Sequence, residues 1–294
     1  MQKKILITGI SGFIGKEIAS QLVNSNYEIH GLSRSIKSNS SYFHHTIDLD
    51  DHSKISQLLS NIKPEYIIHT AWYNEHNKYW DSPENINSLK NSINLYENFL
   101  KNRGKKIIFL GTSDEYSNQK NKCHEKKSII SPSNLYSSSK HLLHQYVQQK
   151  YINNKIPFNW LRIFYPVGRG EKKQRLIPHL ISELKNKKTP YINNPNYTKD
   201  LIHIEDCAAA IIKCMNSDYI GAVNIGSGKG IKLSTIKNYI IKELGYGKIL
   251  INNKKNVSND IKNYLVSNDS ILKNKIRYKI KHSHKSIIKH CCNL

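Results

Sequence analysis

The sequence predicts an α/β fold, with a doubly wound parallel sheet followed by a smaller C-terminal lobe. Short apolar runs alternate with longer helical patterns from the first residues, and a glycine-rich turn joins the first run to the first helical pattern. Strands that alternate with helices are typical of a parallel sheet. The alternation loosens after about Pro166, which predicts the smaller lobe. The 294 residues suffice for one large domain or for two closely joined lobes.

The predicted elements of the first domain follow in order. Strand runs are continuous apolar stretches, and helical patterns repeat their apolar residues at intervals of three and four. The strand runs are residues 3–9, 27–34, 65–71, 105–111 and 158–164, and the helical patterns are residues 15–26, 52–62, 82–104 and 133–154. Gly104 stands where a glycine cap would end the third helix. These elements form a predicted dinucleotide-binding domain over residues 1–166.

The rest of the chain, residues 167–294, forms the predicted substrate-binding lobe. Its helical patterns are residues 176–188, 205–217 and 232–245. Residues 191–204 form an extended stretch. Residues 200–225 are expected to pack back on the first domain. The sequence contains no internal repeat and no long linker.

The formal net charge of +23 raises the hypothesis of a nucleic-acid-binding protein, since a basic surface attracts phosphate. The lysines are instead spread along the whole chain among Asn and Ile, and they form no basic stripe interleaved with aromatic residues. We therefore expect no nucleic-acid partner, and the charge favours small anionic ligands. No apolar run approaches the roughly 20 residues that span a bilayer, so no membrane partner is expected.

The five cysteines are scattered and odd in number, which argues against a disulfide framework. The first apolar stretch runs into a glycine-rich turn and not into a cleavage site, so the cytoplasm is the expected location. Near residue 290, histidines and cysteines raise the hypothesis of a metal site: His282, His284, His290, Cys291 and Cys292. A frayed basic tail is the preferred interpretation, and no metal is expected.

A glycine-rich turn between the first strand and the first helix is the first candidate binding site. The stretch TGISGFIG places Gly9, Gly12 and Gly15 there, with Phe13 and Ile14 between them. Glycines permit a tight turn and let the backbone approach a pyrophosphate, whose charge meets the free N–H groups and the dipole of the helix. A dinucleotide site at this place indicates a Rossmann-type sheet.

The end of the second strand bears on which dinucleotide binds. A carboxylate is expected there if the ribose carries a free 2′-hydroxyl. The sequence has Ser33 and Arg34 at this point, and no carboxylate. Because a guanidinium pairs with a 2′-phosphate, NADP(H) is the preferred cofactor. If Arg34 faces solvent, NAD(H) remains possible.

Tyr136 and Lys140 are the candidate proton-donor pair. They lie one turn apart near the start of the helix that follows the fourth strand run, and so share a face. Three other Tyr-x-x-x-Lys pairs lie in a polar loop or roughly 15 to 20 Å further along this helix. Thr112 follows the strand run, where ligands of such sheets bind. In hydride transfer at a carbonyl, the lysine would lower the phenol pKa, the phenol would relay a proton and Thr112 would hydrogen-bond the oxygen.

These motifs together resemble the extended short-chain dehydrogenase/reductase family, in its NAD(P)-dependent nucleotide-sugar epimerase, dehydratase and reductase branch. The resemblance covers nearly the whole chain and rests on TGISGFIG, DLDD, IIHTA, GTSDEY, YSSSK, LRIF, RLIPHLI, KDLIHIEDCAAAI and GAVNIGSGKGI. It implies that Thr112, Tyr136 and Lys140 are the catalytic triad, and that Lys140 also binds the nicotinamide ribose.

Further contacts are implied by the same resemblance. Asp48 would contact the adenine, and Leu49 and Ala71 would line the cofactor site. The residues implied for binding a nucleotide-sugar substrate are Thr112, Ser113, Asp114, Arg175 and Lys199. The resemblance also implies a homodimer formed through a helix bundle.

Departures from the family pattern bear on the reaction. Dehydratases of the family carry a glutamate where this chain has Asp114, whose shorter reach disfavours dehydration. Glu115 is expected to point the other way, on an extended segment. Lys199 stands where an arginine is usual, which keeps the charge but loses the bidentate fork. Trp72 stands where a small residue is common, which would narrow the pocket.

The sequence therefore predicts an NADP(H)-dependent reductase of a nucleotide-diphosphate-linked keto-sugar, of the 4-keto-6-deoxy class, with Tyr136 as the proton donor. The alternative is an epimerase of the same substrates that retains its NAD(P), and a 4,6-dehydratase ranks third. From a different class, a non-catalytic cofactor-sensing or RNA-associated protein is a further hypothesis, since a fold does not determine a function.

Overall fold

The computed structural model describes residues 2–35, 41–118, 120–188, 192, 194–246 and 263–294. Its central sheet has seven strands, all paired in parallel. The strands are β1 (Lys3–Thr8), β2 (Tyr27–Ser33), β3 (Phe43–Thr46), β4 (Tyr66–His69), β5 (Lys106–Thr112), β6 (Phe158–Ile163) and β10 (Gly221–Ile225). They lie in the sheet in the order β10-β6-β5-β4-β1-β2-β3. The predicted doubly wound parallel sheet is confirmed.

Helices cover both faces of this sheet. They are α1 (Phe13–Leu22), α2 (His52–Ile62), α3 (Glu84–Lys101), α4 (Leu135–Asn154) and α6 (Ile204–Met215). The helices α1 and α6 pack together on one face, whereas α3 packs between α2 and α4 on the other. Each face has its own buried apolar cluster, so the sheet is enclosed and its carboxyl edge is left for ligands.

Two strands of the sheet were missed by the sequence analysis. The edge strand β3 contains two histidines and has no buried residue, so it lacks the apolar run that predicts a strand. The strand β10 is only five residues long, and it pairs with β6 at the opposite edge. Through β10 and α6, a later part of the chain completes the first domain.

The smaller lobe combines short strands with helices. Its strands are β7 (Tyr165–Val167), β8 (Thr198–Lys199), β9 (Leu201–His203), β11 (Ile231–Lys232) and β12 (Tyr264–Leu265), and its helices are α5 (Leu176–Lys185), α7 (Leu233–Glu243), α8 (Ser270–Asn274) and α9 (His284–Cys292). β7 pairs with β9, and β8 lies between β11 and β12. Apolar side chains of α5, α7 and α9 form a third buried cluster.

The expectation of a frayed basic tail is wrong. The segment forms α9, whose N-cap residue Ser283 accepts a hydrogen bond from the backbone N–H of Ser286. The helix buries Ile287, Ile288, Cys291 and Cys292 in the third cluster. Their spacing of i, i+1, i+4 and i+5 marks one face of a helix, which the basic residues between them obscured.

The end of α3 also differs from the prediction. Arg103, and not Gly104, takes the left-handed conformation, with a φ of 54°. A Cβ atom at Gly104 would lie 1.9 Å from the ring of Phe99. The glycine at this position therefore allows a close approach of the chain to a buried ring, and does not act as the helix cap.

No helix among the described residues is long and apolar enough to cross a bilayer.

Candidate active site

The glycine-rich turn has the tight geometry that was predicted from its sequence. Gly9 directly follows β1 with a φ of +66°, and a Cβ atom there would lie 2.9 Å from the backbone nitrogen of Ala71. A Cβ atom at Gly15 would lie 2.3 Å from the carbonyl oxygen of Gly9. Gly12 is the N-cap of α1 and offers no side-chain cap, so the first N–H groups of the helix, at Phe13 and Ile14, are available to a ligand.

The end of β2 holds polar groups beside the turn. Ser33 Oγ donates to the carbonyl oxygen of Ser35 at 2.9 Å and lies 2.8 Å from Nε2 of His44. The side chain of Arg34 is exposed. His44 comes from β3 and was missed because the short run that contains it, FHHT, has neither a continuous apolar stretch nor an apolar–polar alternation. Asp48, which follows β3, is exposed.

The helix α4 carries Tyr136 and Lys140 in its first turns. Its N-cap residue Asn134 accepts a hydrogen bond from the backbone N–H of Ser137 at 2.9 Å, which favours a helix start at this point. The backbone N–H of Tyr136 donates to the carbonyl oxygen of Trp80 at 2.8 Å. The helix start is thus joined to the loop between β4 and α3.

Lys140 is 4% exposed, and its ammonium group lies between a carbonyl oxygen and two aromatic rings. Nζ donates to the carbonyl oxygen of Leu110 in β5 at 2.6 Å. It also lies 4.1 Å from the ring centroid of Trp72 and 5.4 Å from that of Tyr136. The structure thus brings Lys140 beside Tyr136, although a tryptophan face lies nearer to the charge.

Thr112 lies at the carboxyl end of β5, as predicted. Its hydroxyl donates to Oδ2 of Asp114 at 3.1 Å, and it acts on the neighbouring Tyr136, whose pKa it lowers. Ser113 is buried in the turn that follows. The three predicted catalytic residues therefore lie at one edge of the sheet.

Glu115 faces away from this edge, but not for the reason expected. Residues 113–115 form a single 3₁₀ turn and not an extended segment. The carboxylate of Glu115 is fully buried and accepts hydrogen bonds from Nε1 of Trp160 and from Nε of Arg162 at 2.8 Å. It also accepts from the backbone N–H of Thr112 at 2.9 Å, so it holds the end of β5 in place.

Burial dominates the electrostatics of the pair. It raises the pKa of Tyr136, with Tyr79 and Asp114 adding to this effect, while the hydrogen bond with Thr112 and the charge of Arg175 oppose it. Burial also lowers the pKa of Lys140 to about 7, against the charge of Glu115. The pKa of Tyr136 is therefore raised and not lowered as expected, because desolvation of the phenol outweighs the nearby positive charge.

Aromatic side chains enclose Tyr136, and two of them come from a segment that the sequence analysis did not single out. The ring of Tyr136 makes edge-to-face contacts with Tyr79, Trp80 and Trp72, with centroid distances of 5.0, 6.0 and 6.5 Å. Tyr79 and Trp80 lie in an irregular loop with no periodicity, which explains why no sequence pattern revealed them.

The smaller lobe contributes two cations. Arg175, the N-cap residue of α5, lies 3.5 Å from the carboxylate of Glu171. Its charge opposes the rise in pKa of Tyr79, Tyr136 and Tyr165, so it lies on the side of the site where these tyrosines are. Lys199 Nζ lies 4.8 Å from the ring centroid of Tyr165. The two predicted diphosphate-binding cations thus lie near the tyrosines of the pocket.

Comparisons with known proteins identify the family of the chain. A model described as "NAD dependent epimerase/dehydratase family" matches residues 5–226. The chain is 30% identical over 267 residues to the dTDP-D-glucose 4,6-dehydratase of Dictyostelium discoideum. This match covers 76% of the chain but only 58% of the length of that relative. It is 28% identical over 254 residues to the GDP-6-deoxy-D-talose 4-dehydrogenase of Aggregatibacter actinomycetemcomitans, covering 79% and 77% of the two chains.

A solved structure shows the same fold. The UDP-glucuronic acid 4-epimerase of Bacillus cereus, in complex with a fluorinated UDP-sugar and NAD, superposes with a TM-score of 0.86 at 20% identity, over 99% of this chain and 98% of that chain. The resemblance drawn from the sequence motifs is confirmed.

Proposed function

Since the chain belongs to the NAD dependent epimerase/dehydratase family and is an enzyme of nucleotide-sugar metabolism, we propose that it is an NADP(H)-dependent reductase of a nucleotide-diphosphate-linked keto-sugar. The 4-keto-6-deoxy sugars are the proposed substrate class. The observation that carries the proposal is the enclosure of Tyr136 by Trp72, Tyr79 and Trp80. A sugar in so narrow a space would present one face of its carbonyl, which suits a single reduction.

The residues present fit a nicotinamide dinucleotide. The closely approaching backbone at Gly9 and Gly15, with the uncapped start of α1, would hold the pyrophosphate. Lys140 would hold the nicotinamide ribose, and the bound cofactor would supply the hydride. We propose NADP(H) because the guanidinium of Arg34, and no carboxylate, follows β2, and because His44 adds a polar ring beside Ser33. NAD(H) is the alternative.

Tyr136 is the proposed proton donor. Because burial raises its pKa, the phenol holds its proton at neutral pH and is able to give it to the carbonyl oxygen of the sugar. Thr112, whose hydroxyl donates to Asp114 in this structure, would turn that hydrogen to the same oxygen of the sugar. The ammonium group of Lys140, 5.4 Å from the ring centroid of Tyr136, would stabilise the phenolate that remains.

The proposed binding of the substrate uses both lobes. Arg175 and Lys199 would bind the diphosphate, since their cations lie near Tyr165 in the pocket. Ser113 and Asp114, which follow β5, would contact the sugar. A dehydratase is less favoured because Glu115 is held by Arg162, and because Asp114 is shorter than the glutamate that family dehydratases use.

An epimerase is the second candidate, and the depth of Lys140 favours it. A ribose anchor that is only 4% exposed suits a cofactor that stays bound while the sugar is oxidised and reduced again. The two activities differ in their use of NADPH. A reductase consumes it in proportion to product, whereas an epimerase changes the sugar without net consumption.

The first experiment replaces Tyr136 by Phe. Loss of the proton donor is expected to lower kcat about 100- to 10,000-fold, which NADPH oxidation with nucleotide-linked keto-sugars would measure. The matched control is Tyr146→Phe, since Tyr146 and Lys150 lie on the same helix with the same spacing but Tyr146 hydrogen-bonds to Glu97. Full turnover of Tyr136→Phe would refute the proposed role.

The second experiment tests the cofactor. Arg34→Ala is expected to raise KM for NADPH and to leave KM for NADH unchanged, because only NADPH carries the 2′-phosphate. Equal efficiency of the wild type with both cofactors, unchanged by the substitution, would refute the preference for NADP(H).

A salt-sensitive gel shift with RNA, without any turnover, would instead support a non-catalytic protein.

We also propose a cytoplasmic homodimer. The five cysteines all lie among the described residues and form no disulfide bond there, which suits a reducing compartment. On α4, Leu142 is 51% exposed and Ile152 is 56% exposed, so a partner has apolar surface to cover. A single monomeric species in analytical ultracentrifugation would contradict the homodimer.

A further inference from the structure

A second cluster of polar side chains lies in the smaller lobe, at the junction of β9, α6 and the segment before α9. His203, Glu205 and His282 each place one ligand atom within 4.8 Å of the other two. Oε2 of Glu205 lies 3.8 Å from Nδ1 of His203 and 3.6 Å from Nε2 of His282. Neither the proposed reduction nor the proposed binding of the substrate uses these residues.

His282 is oriented by a carboxylate behind it. Its Nδ1 lies 2.9 Å from Oδ2 of Asp206, which is 1% exposed and also accepts from the hydroxyl of Tyr278 at 2.7 Å. The backbone N–H of His282 also donates to Oδ2 of Asp206, at 2.9 Å. A carboxylate that accepts from one ring nitrogen leaves the lone pair on the other, and metal-binding histidines in proteins are held in this way.

His203 is a buried imidazole with few partners. It is 1% exposed, and its Nδ1 accepts only a long hydrogen bond of 3.4 Å from the backbone N–H of Glu205. Its Nε2 has no hydrogen-bond partner among the described residues. The nitrogen that faces the carboxylate of Glu205 is Nδ1, at 3.8 Å from Oε2, and a cation bound there would take the place of the long hydrogen bond from the backbone N–H.

We propose that His203, Glu205 and His282 form a structural site for one divalent cation that prefers imidazole ligands, of the Zn²⁺ type, with Asp206 holding His282 in place. Two imidazoles and a carboxylate are a common ligand set for this ion, and water completes the coordination. The cation joins the start of α6 to the segment that leads into α9, and so fastens the last helix of the smaller lobe.

The site also adjoins the segment that carries Arg175. A Cβ atom at Gly168 would lie 3.5 Å from Nε2 of His203, and Gly168 begins the loop that contains Glu171 and leads to Arg175. A cation at His203 therefore stabilises the frame behind the proposed diphosphate-binding residue without touching the substrate.

Another group in the described part of the chain, Glu115 with His141 and His144, is less suitable. Glu115 already forms a buried ion pair with Arg162, whose fixed positive charge would repel a metal ion. The carboxylate of Glu205, by contrast, is about half exposed and able to turn toward a ligand.

The test uses protein without a histidine tag, stripped with a chelator and titrated with Zn²⁺ in a calorimeter and with Co²⁺ in a spectrophotometer. The wild type is expected to bind one ion per chain, with a Co²⁺ absorption band typical of nitrogen and oxygen ligands and a rise in Tm of several degrees. His282→Ala and Glu205→Gln are expected to lose at least tenfold in affinity, and Asp206→Asn about 10- to 100-fold.

His284→Ala is the matched control, because His284 lies two residues further on and faces Ser227 at 3.4 Å. It is expected to keep full affinity. Absence of saturable binding to the wild type would overturn the proposal, and this outcome needs no variant to fold. Unchanged affinity in the Glu205→Gln variant, whose side chain is about half exposed, would overturn it as well.

Discussion

Two buried lysines lie at opposite ends of β5 and differ in how their ammonium groups are satisfied. Lys106 begins the strand and is 5% exposed, and its Nζ donates to three carbonyl oxygens, those of Cys214, Ser217 and Tyr219. Lys140 lies beside the other end and is 4% exposed, but within the described parts of the chain it donates to a single carbonyl oxygen, that of Leu110. Its remaining charge faces aromatic rings.

The difference separates a structural lysine from the lysine that we propose to be functional. An ammonium group has three donors, and Lys106 uses all three to close the end of α6 and the turn that leads to β10. Lys140 keeps donor capacity at the carboxyl edge of the sheet, where a ribose would bind. Burial lowers the pKa of Lys106 to about 8 and that of Lys140 to about 7. The donor capacity that the described residues leave unused at Lys140 therefore supports its proposed role.

The largest expected effect comes from Lys140→Met. We expect kcat to fall about 100- to 10,000-fold, because the phenolate and the ribose both lose their cation. The free energy of unfolding should stay unchanged or rise, since a poorly paired buried charge is removed. Lys150→Met is the control, as Lys150 pairs with Glu97 at the protein surface. Steady-state kinetics measure kcat, and thermal melts measure the stability. A large loss of stability in Lys140→Met would show that Lys140, like Lys106, has a structural role.

Lys106→Met is expected to show the reverse pattern. Three buried carbonyl oxygens lose their donor, which should lower the free energy of unfolding by about 3 kcal/mol. The turnover of the folded variant should remain near that of the wild type, because Lys106 is at the far end of the strand from Thr112. Chemical denaturation gives the stability. A loss of kcat without a loss of stability would contradict the structural role.

Trp72 tests the aromatic partner of Lys140. Removing the ring in Trp72→Leu should cost about 1 to 2 kcal/mol of cation–π interaction, and so lower kcat/KM for the cofactor about tenfold. Trp72→Phe is the matched control, because it keeps a ring face but loses the hydrogen bond from Nε1 to Asn85. If both variants lose the same activity, the hydrogen bond to Asn85 matters and the contact with Lys140 does not.

The smallest effect concerns stability against pH. The pKa of Lys140 is about 7 in the folded protein and near 10.5 when unfolded, so the unfolded chain binds more protons between these values. The contribution of Lys140 to the free energy of unfolding therefore rises with pH, by about 1 kcal/mol from pH 7 to pH 8. Subtracting the melts of Lys140→Met from those of the wild type isolates this contribution. A difference that falls with pH would contradict the lowered pKa.

Much of the fold could be predicted because its signals are local. The runs 52–62 and 105–111 have strong periodicity or continuous apolar character, and α2 and β5 agree with them to within one residue. The strand β3 could not be found in this way, because this edge strand has no buried side chain. The helix α9 was missed because its apolar face lies among basic residues.

The candidate site divides in the same way. Gly9, Thr112, Tyr136 and Lys140 stand at the ends of predicted elements, so their convergence at one edge follows from the parallel sheet. Tyr79, Trp80 and His44 reach the site through a loop and an edge strand, whose placement depends on tertiary packing. The pKa shifts also depend on burial, which explains why the effect expected of Lys140 on Tyr136 differs in the folded chain.

The most direct test of the proposed reaction is the balance between cofactor and sugar. Wild-type protein is incubated with NADPH and a nucleotide-linked 4-keto-6-deoxy sugar, while absorbance follows NADPH and NMR follows the sugar. We expect one NADPH to be oxidised for each alcohol formed, at a rate that Tyr136→Phe and Lys140→Met abolish and Lys106→Met preserves. Formation of an isomeric sugar without net loss of NADPH would contradict the reductase and establish the epimerase.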